Sequence, residues 1–203
     1  MKSKLFFFTF LFAFLLGLLS YSSEVQAQAD VQAVPTRISF GILASPEMRF
    51  QRGTSQEIES KTIYNWGLVF RYAEILSAVF EVAQFSEKSG NGTSSLELSQ
   101  KEWMAWGRWH FLGLKVDQAK VSLFAGLGGG IYENEVKTTL LGDTRTDKAG
   151  PQRAAGVSFG GDLVFGDRYK FLVGAEGRSL FSSDFDPNPM FSLMVRTGIL
   201  YLF

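Results

Sequence analysis

The sequence predicts an all-β fold, an eight-stranded antiparallel up-and-down transmembrane β-barrel preceded by a cleavable signal peptide. Three observations predict it. Side-chain character alternates with period two in segment after segment, no helical pattern of useful length competes, and the connections alternate between short and long. In Tyr64-Asn-Trp66-Gly-Leu68-Val-Phe70-Arg-Tyr72, Asn65, Gly67 and Arg71 stand at odd positions, while the even positions are all large and apolar. That is a strand with two chemically different faces.

The first element is an export signal. Lys2 and Lys4 precede an apolar run over residues 5–19, broken only by Thr9 and Gly17, and the chain then turns polar before the small residues Ala27 and Ala29. The run is shorter than the roughly 20 residues a spanning helix needs. Residues 1–27 are therefore assigned to the signal peptide and 28–203 to the barrel, with cleavage after Ala27 or Ala29. Removing 1–27 takes away Lys2, Lys4 and Glu24 and leaves 18 basic and 19 acidic side chains in 176 residues.

Strands follow at 36–48, 62–73, 75–86, 101–112, 119–133, 154–166, 169–181 and 189–203. All exceed the ~5–6 residues of a common soluble strand and suffice for the ~9–11 of a tilted membrane strand. Short turns are expected at 73–74, 113–118 and 167–168. Longer loops, rich in turn formers, are expected at 49–61, 87–100, 134–153 and 182–188. Four long loops at one end and three short turns at the other is the layout of an outer-membrane barrel. No apolar stretch beyond residue 27 approaches the ~18 residues of a transmembrane helix.

Composition removes other classes. The 203 residues carry 20 basic and 20 acidic side chains, so no broad field attracts a polyanion and no nucleic-acid partner is expected. With no cysteine there is no disulfide, thiolate metal site, cysteine nucleophile or lipid-modified cysteine.

The sorting of residue sizes decides which face is inside. The apolar face carries seventeen aromatics: Phe40, Tyr64, Trp66, Phe70, Tyr72, Phe80, Trp103, Trp109, Phe111, Phe159, Phe165, Tyr169, Phe171, Phe181, Phe191, Tyr201 and Phe203. The other face carries only Phe85, Trp106, Phe124 and Tyr132. Each ring buries about 150–250 Å², and the interior of an eight-stranded barrel is barely wide enough for ordinary side chains. Seventeen rings do not fit there, so the apolar face looks outward to lipid, with two aromatic girdles at its edges. Nine glycines, among them Gly126, Gly128, Gly156 and Gly160, fall on the inner face, where they leave room for long polar partners.

The last strand ends the chain on Phe203, with Tyr201, Ile199, Thr197 and Val195 on its face. It resembles the terminal assembly signal of Gram-negative outer-membrane proteins, and the whole mature chain resembles small eight-stranded barrels of the OmpA transmembrane, OmpX and OmpW type. The resemblance implies an integral outer-membrane protein with a structural or surface-interaction role and no enzyme activity. Its implied partners are outer-membrane lipid, lipopolysaccharide and, during insertion, the barrel-assembly machinery reading Val195, Ile199, Tyr201 and Phe203; a monomer is expected. Thr197 departs from the bulkier apolar residue expected, and no peptidoglycan-binding domain follows Phe203. A narrow channel for small hydrophobic or ionic solutes and a lipid A-modifying enzyme are the alternatives.

The inner face collects Arg37, Arg71, Glu81, Arg108, His110, Asp162, Lys170, Glu176, Arg178 and Arg196. Buried charges need partners, so a salt-bridged lumen network is expected, acting as a plug or as a gate whose ion pairs exchange. Pairing the last two strands about the loop near Phe185 is taken to set Glu176 opposite Arg196, with Asp162 and Arg178 nearby. His110, the only histidine, is expected to be structural, since a deacylase needs a Ser and a His on the lipid-facing wall. No catalytic residue, cofactor or metal is expected. Gly126-Leu-Gly-Gly-Gly130 lies mid-strand without a following helix or Gly-Lys-Ser/Thr, which argues for inner-wall packing over phosphate binding. Asn91-Gly-Thr93 matches a glycosylation sequon by chance. Glu57 with Glu59, Glu133 with Glu135, and Asp184 with Asp186 are solvated loop acids that divalent cations can bridge to lipopolysaccharide.

Overall fold

In the computed structural model the described residues are 37–52, 58–90, 94–116, 119–183 and 188–203. Eight strands run in chain order: β1 (Ile38–Arg52), β2 (Ile58–Tyr72), β3 (Leu76–Gly90), β4 (Ser94–Val116), β5 (Ala119–Leu140), β6 (Asp143–Phe165), β7 (Tyr169–Phe181) and β8 (Met190–Leu202). Each pairs antiparallel with its sequence neighbour, and β8 pairs with β1, so the sheet closes into a barrel. The signal peptide, Phe185 and the Asn91-Gly-Thr93 sequon lie outside the described residues.

Period two is visible in the burial. Along β8, Met190, Ser192, Met194 and Arg196 are buried while Phe191, Leu193, Val195 and Thr197 are exposed. Of the seventeen aromatics assigned to the apolar face, sixteen are exposed and Tyr201 is half-exposed, with Trp66 at 68 %. Trp106, Phe124 and Tyr132 are buried inside, and Phe85 is half-buried.

Inner glycines make space for the two largest lumen rings. A Cβ on Gly156 falls 2.8 Å from Trp106 Cη2 and 2.9 Å from Leu180 Cδ2, and one on Gly128 falls into the same indole. On Gly160 a Cβ lies 2.6 Å from Phe124 Cζ. The outward Gly107, Gly129 and Gly177 have no neighbour closer than 3.5 Å to an added Cβ.

Two local features sit at the seam and the rim. The β1–β8 ladder is interrupted between Ala44–Thr197 and Glu47–Met194, where Pro46 has no N–H to donate. Thr197, a polar residue on the outer face of β8, donates its hydroxyl to the Ala44 carbonyl at 2.9 Å. Its polarity is thus satisfied by the strand across the seam.

The structure corrects the expected loops at 87–100 and 134–153. Ladder pairing between β4 and β5 continues to Ser94–Leu140, and between β5 and β6 to Leu140–Asp143, with Leu141 and Gly142 forming a tight turn at positive φ. These segments are hairpins that extend the sheet beyond the barrel. Residues 143–151 of β6 are all exposed. Both of its faces meet solvent, so no apolar alternation marks it as strand. Pairs such as Lys148–Glu135 and Thr139–Thr144 bind its two sides together.

Overfilling the lumen tests this packing. Gly128→Val drives two methyls into the Trp106 indole, and the expected cost is about 1–3 kcal/mol, read as a lower urea midpoint for the folded form in detergent. Gly107→Val, on the open outer wall, is expected to leave that midpoint nearly unchanged.

Candidate functional site

The chemistry of the molecule is concentrated in the lumen. Every strand contributes inward residues, and the register stacks them in tiers. Nearest the long-hairpin end, Arg49 pairs with Glu47 at 3.0 Å and with Glu102, and Asn65 Nδ2 donates to Glu47 at 2.6 Å. Parity already puts Glu47, Arg49 and Glu102 on the inner face. Pro46 and the turn-rich stretch that begins at Arg49 disguise the end of β1 as loop.

The middle tier joins β2, β3, β4, β6, β7 and β8. Glu176 accepts from Arg108 at 2.7 Å and from Arg178 at 3.1 Å, and lies 3.6 Å from Arg196. Glu81 pairs with Arg178 at 2.7 Å and Arg108 at 3.6 Å. Asp162 pairs with Arg196 at 3.0 Å and lies 3.7 Å from Arg71. Guanidinium groups also cover the lumen rings: Arg178 over Trp106 at 4.4 Å, and Arg108 and Arg196 over Phe124 at 5.2 and 5.3 Å.

One expected pairing is corrected. Glu176 faces Met194 across the β7–β8 ladder, and Arg196 faces Gly174. The hairpin is indeed centred on residue 185, and that centre brings Glu176 to Met194, two residues short of Arg196. The ion pair forms on the diagonal instead, because a long guanidinium reaches a neighbour one rung away.

His110 is buried in this tier. Arg71 Nη2 lies 2.9 Å from its Nδ1, and Ser77 Oγ lies 2.9 Å from its Nε2. A guanidinium only donates, so the nearer ring nitrogen, Nδ1, is placed to accept from Arg71, which leaves Nε2 facing Ser77. Ser77 and His110 are within the reach of a nucleophile–base pair. The third place, which in such pairs holds a carboxylate that steadies the ring, is taken by Arg71, and the group is packed inside the barrel.

At the short-turn end, Glu74 lies in the turn between β2 and β3, at φ 58° beside Ala73 at φ 50°. Its carboxylate accepts from Lys120 of β5 at 2.6 Å and from Lys170 of β7 at 3.1 Å. Burial raises its pKa, but the two lysines outweigh this and bring it from 4.5 to about 2. Arg37 is exposed at the rim of this end.

Among the described residues, no group of three His, Asp or Glu is placed to hold a metal. Glu135 is engaged by Lys137 at 3.4 Å and Lys148 at 3.1 Å, whereas Glu57, Asp184 and Asp186, and the side chain of Glu59, lie outside the described residues. The glycine run 126–130 is mid-strand in β5, against Trp106, Met104 and Arg108.

The fold and its contents define a small closed β-barrel with an apolar exterior and a filled, charged interior. No protein-family model matches the chain, and no curated protein matches it. Solved structures do resemble it. Neisserial surface protein A has 12% identity over 82% of this chain and 97% of that one, with a TM-score of 0.49. A major outer membrane protein from Thermus thermophilus has 12% identity over 82% and 99%, TM-score 0.48. The attachment invasion locus protein Ail of Yersinia pestis, in complex with the heparin analogue sucrose octasulfate, has 10% identity over 83% and 99%, TM-score 0.47. Likeness at this level assigns no property to this chain.

Two outcomes follow from the ion pairs. Glu176→Ala removes the carboxylate shared by Arg108, Arg178 and Arg196 and leaves those three buried arginines with Glu81 and Asp162 alone, and the expected loss is about 3–5 kcal/mol; Lys148→Gln, on the exposed hairpin, is expected to shift urea unfolding within about 0.5 kcal/mol. Glu74 has a folded pKa below its unfolded value, so its stabilisation is fully present above the unfolded pKa and is lost as pH falls toward 2. The stability difference between wild type and Glu74→Gln is therefore expected to shrink from pH 5 to pH 2, and a pH-independent gap contradicts the lysine clamp.

Proposed function

We propose that the chain is an integral outer-membrane β-barrel that serves envelope integrity or surface interaction through its extended hairpins, without catalytic activity. The observation that carries this reading is the outer wall. Between a polar ring of Gln84, Lys101, Glu133 and Arg153 and the short turns, the described outward side chains are uncharged. From Lys101 to Phe111 the wall runs ten residues; at about 3.4 Å per residue and a tilt of about 40°, that is roughly 26 Å, close to the ~25 Å apolar band of outer-membrane barrels.

The lower edge of the band supports the same reading. Tyr169 and Tyr201 rings meet at 5.3 Å, Tyr201 and Phe203 at 4.9 Å, and Trp109 and Phe111 at 5.6 Å. Arg168 donates to the Tyr201 hydroxyl at 2.9 Å and covers its ring. Amphipathic rings capped by a cation suit the boundary between hydrocarbon and headgroups. Val195, Ile199, Tyr201 and Phe203 lie on the lipid side of β8 as the proposed assembly signal. Lipid and lipopolysaccharide around the wall, the assembly machinery during insertion and a monomeric state belong to the same proposal.

The lumen favours a plug over a channel. Trp106, Arg108, Phe124, Arg196 and Glu176 are each at most 2 % exposed, so the bore is occupied at mid-height. The partners of His110 and its place inside the wall favour a structural histidine over a lipid-modifying one.

Leu127→Arg separates a lipid wall from a watery one. Leu127 is 70 % exposed on the middle of β5. Arginine there is expected to be nearly neutral in water but to cost about 2–4 kcal/mol at a bilayer midplane. The measurement is unfolding of the protein in phospholipid vesicles, with heat-modifiable gel migration of the outer-membrane fraction reporting the folded barrel. Planar-bilayer recordings are expected to show negligible conductance for wild type, and steady currents would favour the channel.

A further inference from the structure

The short-turn mouth of the barrel encloses a cavity of about 280 Å³. Among the described residues, Arg37, Arg71, Lys115, Lys120 and Lys170 line it together with the carboxylates Glu74 and Asp167. Five cations facing two carboxylates leave an excess of positive charge in a recess partly shielded from water, where an anion gains more than on an open surface.

Arg71 makes this more than a basic patch. The residue is 7 % exposed and lines the cavity, yet its Nε has no hydrogen-bond partner among the described residues. Its nearest carboxylate, Asp162, stands 3.7 Å away and is committed more closely to Arg196 at 3.0 Å. A buried guanidinium nitrogen left without an acceptor is a costly arrangement that a ligand oxygen relieves.

Glu74 marks the place of the ligand. It is the second central residue of the β-turn Tyr72–Ile75, closed by the Ile75 N–H donating to the Tyr72 carbonyl at 3.1 Å, where both central φ angles are positive, positions ordinarily filled by Asn and Gly. Holding Ala73 and Glu74 in that region is strained, and the result is a carboxylate set between Lys120 and Lys170. A single carboxylate satisfies part of this donor set. An oxyanion with three or four acceptor oxygens and double charge satisfies more of it.

We propose that the short-turn mouth binds a phosphate-class oxyanion, held by Arg71 at its floor and Lys120 and Lys170 on its wall, with Glu74 as the internal carboxylate the ligand displaces. Binding follows from the mouth itself; that the mouth faces the periplasm rests on the membrane reading above. A phosphorylated solute and an anionic lipid headgroup present the same chemistry.

The experiment uses the folded protein in nanodiscs of neutral phosphatidylcholine, titrated with inorganic pyrophosphate by calorimetry. Saturable binding is expected, weakened about tenfold or more in K120Q/K170Q, strengthened severalfold in E74Q and unchanged in K148Q. Binding in neutral discs identifies a soluble phosphate. No binding there, together with phosphatidylglycerol ³¹P signals in mixed discs broadened by wild type but not by K120Q/K170Q, identifies a headgroup. The proposal is overturned if neither ligand binds, or if binding survives K120Q/K170Q. Should that double variant fail to give the heat-shifted folded band, E74Q decides: affinity equal to or below wild type overturns the site.

Discussion

Closure is the constraint on which the rest of this molecule depends. A sheet with free edges carries unpaired N–H and C=O groups, which hydrocarbon cannot satisfy, so strands that cross lipid must end by pairing with one another. The β1–β8 ladder does this, and with eight strands it fixes an interior only wide enough for side chains. Every inward residue must then fit, and every inward charge must find a partner within the wall.

The same residues serve both requirements, with Arg71 at the short-turn mouth the least closely paired. Among the described residues the buried acidic and arginine side chains are five arginines (49, 71, 108, 178 and 196) and five carboxylates (Glu47, Glu81, Glu102, Asp162 and Glu176). Equal numbers leave the bore near neutrality, which limits the desolvation cost of so many ions. Aromatic faces complete the packing, since Trp106 and Phe124 each lie under arginine, and Gly128, Gly156 and Gly160 give those rings their room. The three arginines around Glu176 come from β4, β7 and β8, so the network ties distant parts of the ring together and opposes register slip.

How much of this was legible in the sequence follows from what each signal responds to. Period two locates a strand only where its two faces meet different surroundings, which holds through the apolar band of the outer wall; all eight strands and the sides of Trp66, Trp106 and Arg196 could be read there. The signal vanishes where both faces are wet, so residues 143–151 read as loop although they are strand. Parity also marks the inner charges, yet it does not choose their partners. A guanidinium reaches across a rung, and the Glu176–Arg196 pair exists without the direct opposition expected for it. Glu74 gave no signal at all. Its role comes from a turn at positive φ that carries it to strands 46 and 96 residues further along.

The two ends of the barrel handle exposed backbone differently, and the difference bears on how the protein meets partners. At the short-turn end the strands stop together beneath a ring of aromatics. At the other end β3 to β6 rise as a blade, and pairing of β6 with β7 stops at Ala155–Phe181, which leaves one side of β6 without a paired strand among the described residues from 143 to 154. An open edge invites another strand to add to it. Along this one stand Arg145, Lys148, Pro151 and Arg153, the charges and the missing N–H that discourage such pairing. A blade protected in this way offers its side-chain faces to partners and withholds its backbone. Under the proposed surface role, recognition rests on the pattern of charges across the hairpins, while the closed barrel beneath holds them in place.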